Sequence, residues 1–284
     1  MGMRVIIINM SENLFLQPKE ISRALIAIGE KKATSSLFDL FVYGILAGIY
    51  IGFGAAAATV ILSGGTLDPG FGKFLAGTVF SVGLMLVLIP GAELFTGNIL
   101  MVIGLLGRRY GASKMLRNWL VVYLGNFLGG LLLAGLVFNS GLLQTSALTS
   151  TAGNIAAKIA ETKISLTFFQ GFCRGILCNM LVCLAVIMCL SSKTVTGKIF
   201  GIYFPIMVFV ASGYEHSIAN MYFIPAGLMA SGQFFLRFWE IFKNLIPVTL
   251  GNIVGGLMVV LLHPKSGRGL THVFSKMTPE KPAV

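Results

Sequence analysis

The side chains with chemistry to offer sit where two apolar runs are interrupted. Pro90-Gly91-Ala92-Glu93-Leu94-Phe95-Thr96-Gly97-Asn98 breaks one run and Ser212-Gly213-Tyr214-Glu215-His216-Ser217-Ile218-Ala219-Asn220 breaks another, and both read Gly-x-Glu-x-x-x-x-Asn. In lipid, irregular backbone survives only where protein or a water-filled cavity satisfies its polar groups, and ionisable residues at that depth mark permeation paths. The chemistry expected is that of a transport pathway. His216 brings an imidazole able to exchange a proton near neutral pH and to set the pH response of transport. Thr96 brings a hydroxyl for a passing anion. Glu93 and Glu215 read as structural acids, each accepting amide bonds from the half-helix that follows and complementing its dipole.

Other residues carry two readings. Asn179 and Asn252 fit interhelical glue and pathway lining equally. Leu84, Leu94, Phe80 and Phe209 are bulky enough to narrow a path and gate it by excluding water, or are ordinary span packing. Lys158 and Lys163 stand in one loop where a cation would attract an anion, and the residues alone do not choose between them. Arg174 is expected to pair with a carboxylate or to snorkel. Cys173, Cys178, Cys183 and Cys189 read as buried small residues. No metal-ligand or nucleophile–base spacing points to an enzyme, and no cofactor motif is present.

A chain of 284 residues with 56% hydrophobic and 11% charged residues is too apolar for a soluble globule, which carries about 25% charged residues. Its net charge of +11 is spread over loops, without the aromatic-interleaved patch of a nucleic-acid binder. Apolar runs at 37–63, 71–106, 117–139, 166–190, 198–230 and 245–262 predict six spans. The second and fifth are too long for one helix and contain the breaks, so each is expected to be two half-helices. With both termini cytoplasmic, 15 of the 21 lysines and arginines fall inside and five outside, a positive-inside pattern. Residues 1–36 form a cytoplasmic segment. Within it 17–33, with Ile21, Leu25 and Ile28 on one face, is expected along the membrane surface. Residues 37–262 form the transmembrane domain, and 263–284, with His263 and His272, a cytoplasmic tail. Val5-Ile6-Ile7-Ile8 is too short for a signal-peptide core.

The two halves match in order. Gly44-x-x-x-Gly48 pairs with Gly171-x-x-x-Gly175, Glu93 and Asn98 with Glu215 and Asn220, and Leu124-Gly125-Asn126 with Leu250-Gly251-Asn252. Repeats of about 37–139 and 164–262, each with three spans, must enter the membrane in opposite senses. The expected fold is an all-α membrane protein with an inverted 3+3 repeat.

Gly91-Ala92-Glu93-Leu94-Phe95-Thr96-Gly97-Asn98, Gly175-Ile176-Leu177-Cys178-Asn179, Gly213-Tyr214-Glu215-His216-Ser217 and Thr249-Leu250-Gly251-Asn252-Ile253 together resemble the formate/nitrite transporter family over about residues 15–262. The resemblance implies a homopentamer in the cell membrane, each protomer holding an aquaporin-like pore for small monovalent anions or their protonated acids. It also implies pathway roles for His216, Thr96, Lys163, Asn179 and Asn252, and constrictions at Leu84, Leu94, Phe209 and Phe80. Ala219-Asn220-Met221-x-x-Ile224-Pro225 and Asn244-Leu245-Ile246-Pro247-Val248-Thr249 look most like formate channels. Formate is therefore the expected substrate, ahead of nitrite, hydrosulfide, lactate and acetate, with protons as the other species involved and the lipid bilayer as surroundings.

Overall fold

A computed structural model describes residues 14–65, 68–144 and 151–262. The tail expected at 263–284, with His263 and His272, and the Val5–Ile8 run lie outside the described residues. Helix α1 (Pro18–Thr34) precedes α2 (Leu37–Leu62) and α3 (Pro69–Leu88), after which the chain breaks and resumes as α4 (Phe95–Asn98), a 3-10 turn (Ile99–Met101) and α5 (Val102–Leu106). Helix α6 (Ala112–Asn139) closes the first half. The second half holds α7 (Thr151–Ile164), α8 (Phe168–Ser191), α9 (Val195–Ala211), a second break, α10 (Ser217–Ala230), the short α11 (Phe234–Arg237) and α12 (Glu240–Leu262). Among the described residues five helices are long and apolar enough to cross a membrane, joined by shorter apolar helices at Phe95–Leu106, Val195–Ala211 and Ser217–Ala230. Six spans in an inverted repeat result, two of them broken.

Local sequence sets these boundaries. Asp68 caps α3 through Gly70 N and Phe71 N, with Pro69 at the first helical position. Thr167 and Gln170 form a reciprocal capping box at α8. At the breaks Gly91 has φ +99° and Gly213 φ +71°, conformations from which a Cβ is repelled. The backbone conformation, rather than space, demands glycine there, because neither position has an atom within 4 Å of a Cβ.

The halves pack alike. A Cβ at Gly44 would meet Val122 O and Gly125 Cα; one at Gly175 would meet Val248 O and Gly251 Cα. Gly44 therefore corresponds to Gly175, not to Gly171: the sequence pairing was one helical turn out, because glycines four apart present the same pattern. The same close approach recurs where Gly129 meets Ile45 O and Gly255 meets Ile176 O. These glycines hold α2 on α6 and α8 on α12 within one protomer.

Two departures concern helices outside the spans. Helix α1 buries Ile21, Leu25, Gly29 and Ala33 while Ile28 is exposed, so its apolar face runs one residue differently from expectation and docks on protein. Helix α7 lies between the third and fourth spans, where the sequence predicts a loop. It buries Ala152, Gly153, Ala156, Ala160 and Ile164, a small-residue face that lets α10 approach until a Cβ on Gly227 would overlap Ala156 O.

Candidate functional site

The two half-helices begin facing each other. Thr96 Oγ1 lies 2.9 Å from His216 Nε2, and both residues are buried. His216 is the N-cap of α10, its Nδ1 accepting from Ala219 N at 3.1 Å. With Nδ1 occupied as an acceptor, the neutral ring carries its proton on Nε2, which donates to Thr96. The Thr96 oxygen then accepts, and its own O–H has no partner among the described residues. Leu94 occupies the corresponding cap position of α4.

Two asparagines staple the breaks. Asn126 Nδ2 donates to Gly44 O at 2.7 Å and to Glu93 O at 2.9 Å, while its Oδ1 accepts from Phe95 N at 3.0 Å. Asn252 Nδ2 donates to Gly175 O at 2.8 Å and to Glu215 O at 3.0 Å, and its Oδ1 accepts from Ser217 N at 2.9 Å. All three polar positions of Asn252 serve backbone, so its observed contacts are those of glue. Asn179 Nδ2 donates to Thr96 O at 3.2 Å and Asn252 O at 2.7 Å, whereas its buried Oδ1 has no partner among the described residues.

The glutamates do not cap the helices that follow them; the staples have taken that work. Glu215 instead accepts from Lys163 Nζ at 2.9 Å and Asn220 Nδ2 at 2.6 Å, with Asn244 behind Asn220 at 2.7 Å. Glu93 accepts from Lys32 Nζ at 2.8 Å and Asn98 Nδ2 at 2.7 Å, with Asn118 behind Asn98 at 2.8 Å. Each half thus carries a lysine–glutamate–asparagine–asparagine chain. Sequence reasoning missed Lys32, Asn118 and Asn244. Counting 131 positions, as Gly44 to Gly175 requires, leads from Lys32 to Lys163, and that register would have found the pair.

Lys163 is no solvated loop residue: it ends α7, paired with a glutamate only 4% exposed, its Nζ lying 5.2 Å from the Phe223 ring centroid. Lys158 is exposed and makes no ion pair among the described residues. Between Lys163 and His216 the rings of Phe223, Phe80 and Phe209 follow in contact, with centroids 6.3 Å and 5.5 Å apart, and Phe209 lies 5.9 Å from the imidazole. Leu84 and Leu94 are buried. On the Lys32 side a cavity of about 750 Å³ is lined by Lys31, Lys32, Lys198, Asn98, Leu94 and Gly97 among others. Arg174 makes no ion pair among the described residues; its carbonyl accepts from Glu215 N at 3.3 Å. All four cysteines are free, three of them buried.

The formate/nitrite transporter family model matches residues 19–264. The chain belongs to that family. A formate/nitrite transporter relative from Methanothermobacter thermautotrophicus, described as a probable formate transporter, is 44% identical over 262 residues, covering 87% of this chain and 94% of its own. The formate channel FocA of Haemophilus influenzae is 42% identical over 247 residues, covering 81% and 86%. A solved pentameric formate channel with formate bound superposes with a TM-score of 0.68 at 33% identity, covering 85% of this chain and 98% of that one. This formate/nitrite transporter is accordingly a multi-pass membrane channel and not an enzyme.

Proposed function

We propose that the chain is a formate channel of the cell membrane, a homopentamer with one pathway per protomer and both termini in the cytoplasm. The observation that carries the reading is the Thr96–His216 hydrogen bond of 2.9 Å, made where two half-helix N-termini meet and direct positive potential at one point. Formate and the pentamer are drawn from the relatives that bear those names; the orientation rests on the lysine and arginine count.

Lys163 draws the anion to the outer mouth. The rings of Phe223, Phe80 and Phe209 then oppose charge: an isolated carboxylate in an apolar medium costs on the order of tens of kcal/mol, a neutral acid far less. Formate therefore takes a proton from hydronium in the vestibule, leaving water behind, and crosses as formic acid. At the centre the Thr96 O–H, whose oxygen is already engaged by His216, donates to the acid's carbonyl oxygen. Asn179 Oδ1 offers the acid's own O–H an acceptor. Beyond Leu94 the acid enters the Lys32 cavity and returns its proton to water, and Lys31, Lys32 and Lys198 favour the anion that results.

Purified protein in liposomes tests this directly. Formate should cross unchanged and faster than nitrite, hydrosulfide or lactate. A faster rate for any of those overturns the substrate, and chemical conversion of formate overturns the transport function.

A further inference from the structure

The turns at opposite ends of the two halves share a scaffold and differ in what they display. Arg109, in the turn between α5 and α6, pairs with Glu30 of α1. Arg237 of α11 pairs at 2.8 Å with Glu161 of α7 and at 2.7 Å with Glu240. Glu30 and Glu161 are 131 positions apart, as Lys32 and Lys163 are, so the clip is repeated. Its decoration is not. The first turn shows Arg108 and Arg109, whereas the second shows Phe235, Leu236 and Trp239, which are 92%, 86% and 76% exposed.

This apolar display is held firmly from behind. Phe234 packs on Phe238 at 5.5 Å, Phe238 on Phe242 at 6.0 Å and Phe242 on Phe127 of α6 at 6.1 Å. Trp239 also heads the exposed stripe of α12 that continues through Ile246 and Leu250, so the display is continuous with the apolar flank of a span. Its indole N–H has no partner among the described residues.

We propose that residues 234–239 anchor the channel in the phospholipid headgroup layer on the Lys163 side, with Phe235 and Leu236 at the acyl boundary and Trp239 N–H donating to lipid oxygens. Tryptophan favours that layer because its ring is apolar and its N–H needs an acceptor. A second copy of the chain is the poorer occupant. Helix contacts in lipid rely on small residues, and residues 234–242 contain none. The cations of the first turn fit the cytoplasmic face, and aromatic rings suit either interface, so a cation-poor aromatic turn fits the other face. Because Arg237 holds Glu161, two residues before Lys163, the anchor also fixes α7 relative to the bilayer.

Trp119 and Trp239 are the two tryptophans, so fluorescence reads the anchor. Full-length W119F is reconstituted in phosphatidylcholine vesicles, with and without bromine near the head of the acyl chains. Trp239 emission should lose its larger share in brominated vesicles. Emission untouched by bromine but quenched by aqueous iodide places the turn in water and overturns the proposal. Emission untouched by both places it against another copy and overturns it equally. If W119F does not assemble, the difference between native protein and W239F gives the same reading.

Discussion

Thr96 and His216, 120 positions apart in the chain, meet through a 2.9 Å hydrogen bond that sets which atom of each remains available. His216 donates through Nε2, so Thr96 alone presents a free donor. Thr96→Val keeps the shape of the side chain and removes that donor. Leaving a buried polar partner unsatisfied costs about 1–3 kcal/mol, so formate flux in liposomes should fall about ten- to a hundredfold while the oligomer elutes unchanged. Native flux from Thr96→Val removes the hydroxyl from the mechanism.

Both ring nitrogens of His216 are engaged, Nδ1 by the Ala219 amide at 3.1 Å. A proton on Nδ1 would displace that amide, so in the proposed cycle the proton of formic acid comes from the vestibule and not from the imidazole. Sequence alone suggested a titrating imidazole and a flattened pH profile on its removal. The hydrogen bonds lead to a different expectation: His216→Asn lowers formate flux but leaves the midpoint of its pH dependence in place. A shifted midpoint restores the titrating role.

Of the two lysine–glutamate pairs at the breaks, Lys163 and Glu215 form the less accessible, with side chains 13% and 5% exposed against 18% and 16% for Lys32 and Glu93. Removing one partner of a buried pair costs about 3–5 kcal/mol, because the other charge is left uncompensated. Lys163→Ala should therefore lower the melting temperature more than Lys32→Ala, and Lys158→Ala should do nothing. Adding Glu215→Gln to Lys163→Ala should recover stability without recovering anion capture. Recovery of both would make Lys163 purely structural.

What the sequence disclosed depended on how long each signal was. The spans, both breaks and the inverted order of the halves rest on long hydropathy runs and on an eight-residue pattern containing rare acids, and they stand as read. Lys32 was missed because a lysine ending an amphipathic helix looks like any topology signal, and its pairing with Glu93 needs the helix register. That register was ambiguous, since Gly44, Gly48, Gly171 and Gly175 repeat every turn and match equally well one turn away. Helix α7 was missed because fourteen residues rich in alanine and polar side chains form no span. The acids at the breaks were assigned to capping because sequence proximity favours the following amides; Asn126 and Asn252, distant in sequence, reach those amides first.

Glycine at 129 is required by proximity: a Cβ there would overlap the Ile45 carbonyl, a backbone atom that cannot turn aside. Gly97 has only Val186 Cγ2 near, at 3.6 Å, an ordinary contact. Gly129→Ala should therefore abolish recoverable protein while Gly97→Ala yields a normally folded oligomer. Because the contact lies within one protomer, Gly129→Ala should lose the folded monomer rather than release intact monomers. Stable monomers on a sizing column would move the glycine face to the oligomer interface.

Tyr110 clasps α1 to α5 from the turn before α6. Its hydroxyl donates to Met101 O, and its ring fills the space that side chains on Gly29 and Gly104 would need. Burial, assisted by the Glu30 carboxylate, pushes the phenol from 10.0 to about 12. A phenol whose folded value is raised contributes stability that is complete below its unfolded value and is lost as pH climbs toward the folded one. Melting temperature in detergent should thus fall between about pH 10 and pH 12. Tyr110→Phe keeps the ring in its notch and abolishes the ionisation. Its melting temperature should start slightly lower, by the loss of one hydrogen bond worth about 1 kcal/mol, and its fall across the same pH window should be shallower. An equally steep fall in Tyr110→Phe would assign alkaline unfolding to other groups and leave the clasp a matter of packing alone.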